Sequence, residues 1–182
     1  MEKTDNLNTN GVLLIAKKYA QANKIAHVVV ATTSGKSGIA AAEVFEDSNI
    51  NLIVITHSTG FRDDNVQECD EDLKNQMEEK GAKVFTGTMP FHTINNAIKK
   101  KYGYCSVDLV ADVLRMFGEG TKVCVELVLM AADAGLVPSK EKVLSIAGTG
   151  QGEDTVILIK SANSRRFFSL KVLDVVAKPK EL

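Results

Sequence analysis

The chain is predicted to fold as a three-layer α/β/α domain whose sheet is mostly parallel with an antiparallel edge. Three observations carry this. The runs Val28-Val29-Val30 and Leu52-Ile53-Val54-Ile55 are β-branched and apolar throughout, as in strands buried on both faces. Helical patterns separate the first three strand candidates, which implies parallel strands joined by right-handed crossovers. The last two strand candidates follow one another with no helix between them, which implies an antiparallel edge.

Thr9 or Asn10 caps a first helix, whose stripe is Val12, Leu13, Ile15, Ala16, Tyr19 and Ala20, ending near Asn23. The Val28–Val30 strand leads into a polar turn and a helix over Ile39 to Phe45, where three alanines give high propensity. The strand Asn51 to Thr56 comes next. A helix then starts around Asn65, with Glu68, Asp70, Glu71 and Asp72 favourable to its dipole. Leu73 and Met77 are its inward anchors and Gly81 its stop. Lys83 to Thr86 is a short third strand. Met89 to Gly103 gives no clear period, only a helical turn around Asn95 to Lys101. Ser106 caps a helix with an apolar face of Val110, Val113, Leu114 and Phe117, broken by Gly118 and Gly120. Thr121 opens a helix to Ala134 that is apolar nearly all round, so it belongs in the core. Val143 to Ala147, Thr155 to Lys160 and Phe168 to Val176 are the remaining strands. With 182 residues and no repeat or Pro-rich linker, this reads as one domain over 1–182.

Composition narrows the function classes. Net charge is −1, with no tryptophan and one basic run at Lys99-Lys100-Lys101, which argues against nucleic acid as a partner. Cys69, Cys105 and Cys124 form no C-x-x-C pair, so neither a zinc site nor a disulfide framework is indicated, and a reducing cytoplasm is the expected compartment. No apolar run approaches ~20 residues, and Met1 to Asn10 is unlike a signal peptide, so no membrane partner is expected.

The stretch Thr32-Thr33-Ser34-Gly35-Lys36-Ser37 lies between a strand and a helix N-terminus. Backbone N–H groups and the helix dipole converge at such a junction, and hydroxyls and a lysine add donors, so it suits a phosphate. The plain alternative is a βα loop with a serine N-cap. A Walker A loop is rejected. Gly35-Lys36-Ser37 matches its end, but Val30 stands where its first glycine belongs, and no later strand ends in an acidic residue suited to Mg²⁺. Two further polar loops follow strands: His57-Ser58-Thr59-Gly60-Phe61-Arg62, directly after Thr56, and Gly148-Thr149-Gly150-Gln151-Gly152. In a parallel sheet such loops share the edge where ligands bind.

The glycine loop departs from the dinucleotide fingerprint, because a strand and not a helix follows it. It is either a flexible connection or a place where backbone approaches a planar ligand closely. Glu126 and Asp133 share a face of the buried helix. Carboxylates there are paired, as Glu126 with Lys122, or line a cavity. His57 reads as a hydrogen-bonding loop residue. His27 and His92 show no partner pattern, so no metal site is expected.

The order of these stretches resembles the C-terminal α/β domain of pyruvate kinase. More closely, it resembles a stand-alone, largely uncharacterised family classed with that domain. Val54-Ile55-Thr56-His57-Ser58-Thr59-Gly60-Phe61, Gly81-Ala82-Lys83, Lys122-Val123-Cys124-Val125-Glu126, Met130-Ala131-Ala132-Asp133-Ala134-Gly135, Gly152, Asp154 and Thr155 carry the likeness, over roughly residues 10 to 180. The resemblance implies a pyruvate-kinase-C-like three-layer fold and, for the stand-alone family, bound flavin mononucleotide (FMN). It does not imply kinase activity, because the catalytic barrel is absent from these 182 residues.

The first expectation is therefore an FMN-binding protein, with a flavoenzyme as one form of it. Its phosphate would lie on Thr32 to Ser37, and its ring against Thr56 to Phe61 and Gly148 to Gln151, with Glu126 nearby. The rivals are a non-catalytic sensor of another phosphorylated small molecule and an interaction module. A homo-oligomer would form by pairing of the apolar strand Leu170 to Val176 across a subunit edge.

Overall fold

A computed structural model describes residues 1–3 and 7–180. The strands are β1 (Glu2–Lys3), β2 (His27–Ala31), β3 (Asn51–Thr56), β4 (Lys83–Thr86), β5 (Lys142–Ala147), β6 (Thr155–Lys160) and β7 (Lys171–Lys178). The helices are α1 (Thr9–Ala22), α2 (Lys36–Phe45), α3 (Glu71–Glu79), α4 (Ile94–Tyr102), α5 (Ser106–Arg115) and α6 (Glu119–Asp133). The sheet order is β1-β7-β6-β5-β2-β3-β4. β5, β2, β3 and β4 are parallel, β6 is antiparallel to both β5 and β7, and the two-residue β1 lies parallel to β7. The parallel block with an antiparallel edge is the expected architecture; β1, too short to carry a pattern, was not expected.

Each central strand feeds two cores. Val28 and Val30 pack with Val12, Leu13, Ala41, Phe45 and Met77, on the face covered by α1, α2 and α3. Val29, between them, packs with Ile53, Val125, Val128 and Leu129 on the α6 face. Side chains alternate across a strand, so a strand covered on both faces must be apolar at every position. That is why the valine run is continuous.

The chain runs β2, β3, β4 outward and then returns to place β5 on the other side of β2. The helix after β2 lies on one face of the sheet and α6, before β5, on the other. A crevice opens at such a reversal, at the carboxyl ends of the two strands.

Several element boundaries differ from expectation. Asn65 starts no helix: its φ is +64°, and α3 begins at Glu71, with Asp70 as N-cap accepting the Leu73 N–H at 3.0 Å. Asn8, not Thr9 or Asn10, caps α1. α2 begins at Lys36, before Ile39. Cys105 holds the cap position of α5 and Ser106 is its first residue. Val110 and Leu114 face the core as expected, joined by Val107, but Val113 and Phe117 are exposed. Gly118 does break the chain, as the α6 N-cap with φ +114°, but Gly120 lies inside α6. A Cβ on Gly120 would run into Thr155 and Asp154, so the residue is glycine because helix and strand touch there. Ser164–Ser169 is a 3-10 turn, and the last strand starts at Lys171 and not Phe168. β7 is an edge strand with Val172 and Leu173 exposed; β1 covers only Ala177 and Lys178.

Candidate functional site

The crevice is a cleft of about 650 Å³, inside the ~300–1,000 Å³ range of small-molecule sites. The loops after β2, β3 and β5 meet in it, as expected, and α6 forms a further wall.

The β2 loop is tied down by Thr32. Its buried Oγ1 accepts the N–H of Gly35 at 3.1 Å and of Gly38 at 3.3 Å. A helix start leaves its first amides without intrahelical acceptors. Those of Lys36 and Ser37 have no protein acceptor among the described residues, and both residues line the cleft. Thr33 and Ser34 line it as well. Gly35 does not. Its φ of +97° shapes the turn, and a Cβ there would press on Leu73 of α3. Gly38 was missed; a side chain there would collide with Met77 and Val54.

From the β3 loop, Thr56, His57 and Phe61 reach the cleft, while Ser58, Thr59 and Gly60 do not. These three turn outward because the loop closes on itself. Gly60 N–H donates to Val66 O at 2.9 Å, and Gln67 Nε2 donates to His57 O at 3.1 Å and to Thr59 Oγ1 at 3.4 Å. Glu68 meets His57 Nδ1 at 2.8 Å and Arg62 Nε at 2.9 Å. The His57 and Phe61 rings lie 4.1 Å apart, and Phe61 meets His92 edge-on at 5.8 Å. The Thr56 hydroxyl lies 2.6 Å from that of Thr86.

Gly148, Thr149, Gly150, Gln151 and Gly152 all line the cleft. Asp154 orders this loop, accepting from Thr149 N–H at 2.9 Å and donating its own N–H to Ala147 O at 3.0 Å. A Cβ on Gly148 would strike the Gly152 carbonyl, and one on Gly152 would strike Thr9. Those two glycines serve the loop's own packing. Of the three, only Gly150 has open space around its Cβ position.

Glu126 is fully buried, and the two alternatives for it coincide: it is paired with Lys122 and it lines the cleft. Its Oε1 accepts the Phe91 N–H at 2.6 Å. Lys122 Nζ also reaches His92 Nδ1 at 2.8 Å, whereas His92 Nδ1 is 3.6 Å from Glu126 Oε2. Burial pulls Lys122 below its ordinary pKa, with Glu126 opposing. Burial works against the Glu126 charge too, but His92, Lys122 and the Phe91 N–H outweigh it, so its carboxyl titrates low. Asp133 is elsewhere: exposed at the end of α6, it accepts the Ser164 N–H at 2.9 Å.

Arg62, the last residue of the expected His57 to Arg62 loop, does line the cleft, whereas sequence reasoning missed Lys122, Glu68, Met89, His92 and Glu153 as cleft residues. Glu153 carried a readable signal, a carboxylate directly beside a glycine loop after a buried strand. His92 carried none, since its partners are thirty residues away on α6.

Residues 10–159 match the family described as the pyruvate kinase, alpha/beta domain. The chain belongs to this family. Among solved structures, it is similar to a pyruvate kinase from Cryptosporidium parvum at 10% identity and a TM-score of 0.43, over 82% of this chain and 22% of that one. A Cryptosporidium parvum pyruvate kinase in complex with ADP gives 9% identity and a TM-score of 0.43, over 91% of this chain and 23% of that one. The chain thus spans less than a quarter of the enzymes it matches. Family membership transfers the fold; the ligand must be argued from the cleft. No helix among the described residues is long and apolar enough to cross a membrane.

Proposed function

We propose that this cleft binds FMN, in a reducing, cytoplasmic setting. The observation that carries the reading is that one cleft is lined both by a surface suited to a phosphate and by a surface suited to a flat ring. The β2 loop offers the free amides of the α2 N-terminus and Lys36, the one cation on the wall outside an ion pair among the described residues. Arg62 and Lys122 are already neutralised by Glu68 and Glu126. A phosphate therefore favours the α2 end. The β3 loop offers the tilted His57–Phe61 ring pair, with Met89 and Met130 as polarisable, adaptable surface for a flat ring. Gly150 leaves room for the ring's approach, and the buried Glu126–Lys122–His92 group supplies a polar border.

A bound flavin supplies the redox chemistry, and the protein orients and tunes it. In this chain, Ser37 and Lys36 would hold the phosphate, and the Lys122 charge, balanced by Glu126, would set the field at the ring. Visible absorbance of the purified protein, and titration of the apoprotein with FMN, test the reading. A colourless protein with no micromolar FMN affinity, stabilised against heat by sugar phosphates, would instead favour a sensor of another phosphorylated metabolite.

A further inference from the structure

We propose that Glu153 is a proton-linked member of the anion site: a tetrahedral oxyanion binds at the α2 N-terminus when the Glu153 carboxyl carries a proton, and binding takes that proton up. The proposal rests on the reading of the α2 end as an anion site, but not on the ligand being a flavin.

Glu153 follows the glycine loop and is only 5% exposed, yet it lines the same cleft as Lys36 and Ser37. Its Oε2 has no hydrogen-bond partner among the described residues. Its backbone does not explain this, because its N–H is engaged, donating to Thr9 Oγ1 at 3.1 Å. A buried carboxyl oxygen with no partner is costly unless something completes it. Burial pushes this carboxyl up to about 8, with Ser37 pulling down and Asp154 pushing up.

The charged groups around it give no counter-ion. Asp154 is adjacent and of like charge. Lys36 on α2 is exposed, and Glu119 and Lys122 on α6 are each engaged, with Arg115 and Glu126. The His57–Glu68–Arg62 group and His92 line the remaining wall and are engaged with one another or with Lys122. An ionised Glu153 would itself be an anion at the helix N-terminus and would repel a second one. A neutral Glu153 is a hydroxyl donor, and an oxyanion provides the acceptor that Oε2 lacks.

Sulfate is the probe, because it stays a dianion throughout the range and carries no ring. With a carboxyl titrating near 8, the protonated fraction falls about tenfold between pH 7 and 9, and sulfate affinity should fall by the same factor. Calorimetry at pH 8 in two buffers of different ionisation heat should show uptake of about half a proton per sulfate bound. Glu153→Gln should bind sulfate with an affinity that changes less than about twofold over the same range, since the amide N–H₂ donates at every pH. The wild-type proton count needs no variant, so a misfolded Glu153→Gln does not remove the test. Equal wild-type affinity at pH 7 and 9 with no proton uptake overturns the proposal, as does a sulfate pH dependence that persists in Glu153→Gln. Absence of flavin affinity alongside proton-linked sulfate binding rejects the FMN reading and leaves this one standing.

Discussion

Lys122 and Glu126 stand one turn apart on α6 with their ammonium and carboxylate in contact, side chains 0% and 2% exposed, on the wall of the one cleft where three loops meet. An ion pair this deep recovers its desolvation only when every remaining donor and acceptor is met. Here Lys122 Nζ also meets His92 Nδ1, and the Phe91 N–H donates to the second carboxylate oxygen. Both charges therefore have further partners within the protein besides each other.

Glu126→Gln leaves the Lys122 charge buried without its carboxylate. Urea denaturation should show a loss on the order of 3 kcal/mol. The double change Lys122→Met with Glu126→Leu should recover most of it, since apolar replacement of a buried pair is often neutral. A double variant as unstable as the single would mean that the site tolerates no apolar pair.

Gly150→Val and Gly148→Ala should separate ligand approach from loop packing. Gly150 has open space, so its valine variant should fold with the wild-type melting temperature and lose FMN affinity. Gly148→Ala drives a methyl into the Gly152 carbonyl and should lower the melting temperature. FMN bound by Gly150→Val at wild-type affinity would remove the loop from the ligand contact.

Lys36→Met keeps most of the stem and removes the one cation of the wall without an ion-pair partner among the described residues. A charge-assisted hydrogen bond contributes roughly 1.5–3 kcal/mol, and Lys36 is exposed, so the low end applies: about a tenfold loss of FMN affinity. Riboflavin, without the phosphate, should respond little. Both titrations belong at one ionic strength, because salt screens the contact. Equal losses for the two ligands would place Lys36 away from the phosphate.

Glu153 also predicts a pH dependence of stability with a definite sign. Its folded pKa, about 8, lies above the ordinary glutamate value of 4.5, so between those limits the native state holds a proton that the unfolded state has lost. Stability therefore falls as pH rises through this window and levels above it, by roughly 5 kcal/mol in all at ~1.4 kcal/mol per pH unit. Glu153→Gln should be flatter over the window and more stable than wild type at pH 8. Parallel stability curves at pH 5, 6.5 and 8 would show that Glu153 titrates normally.

Much of the fold was legible because its signals are local. The valine run of β2, the unbroken apolar surface of α6 and the lack of a helix between β5 and β6 each declare their burial in a few adjacent residues. Where two signals competed, the local one misled. The acidic run before α3 suggested a helix from Asn65, but Glu68 is spent on His57 and Arg62, and the helix waits for the Asp70 cap. Phe117 fits the α5 period, yet α5 ends at Arg115 and the ring is exposed.

The sequence by itself determined the parallel order of β2 to β4, the antiparallel edge and the three polar loops at strand ends, because period and turn chemistry are written in consecutive residues. Only the tertiary structure decided which loop residues face the cleft. Gly35, Ser58, Thr59 and Gly60 turn away through hydrogen bonds and contacts made to α3 and within the β3 loop. It also decided the electrostatics. His92 and Lys122, and Glu153 and Ser37, are distant in sequence and adjacent in space. The pKa of a buried group is set by the low-dielectric surroundings and partners that folding brings to it, which no spacing along the chain encodes.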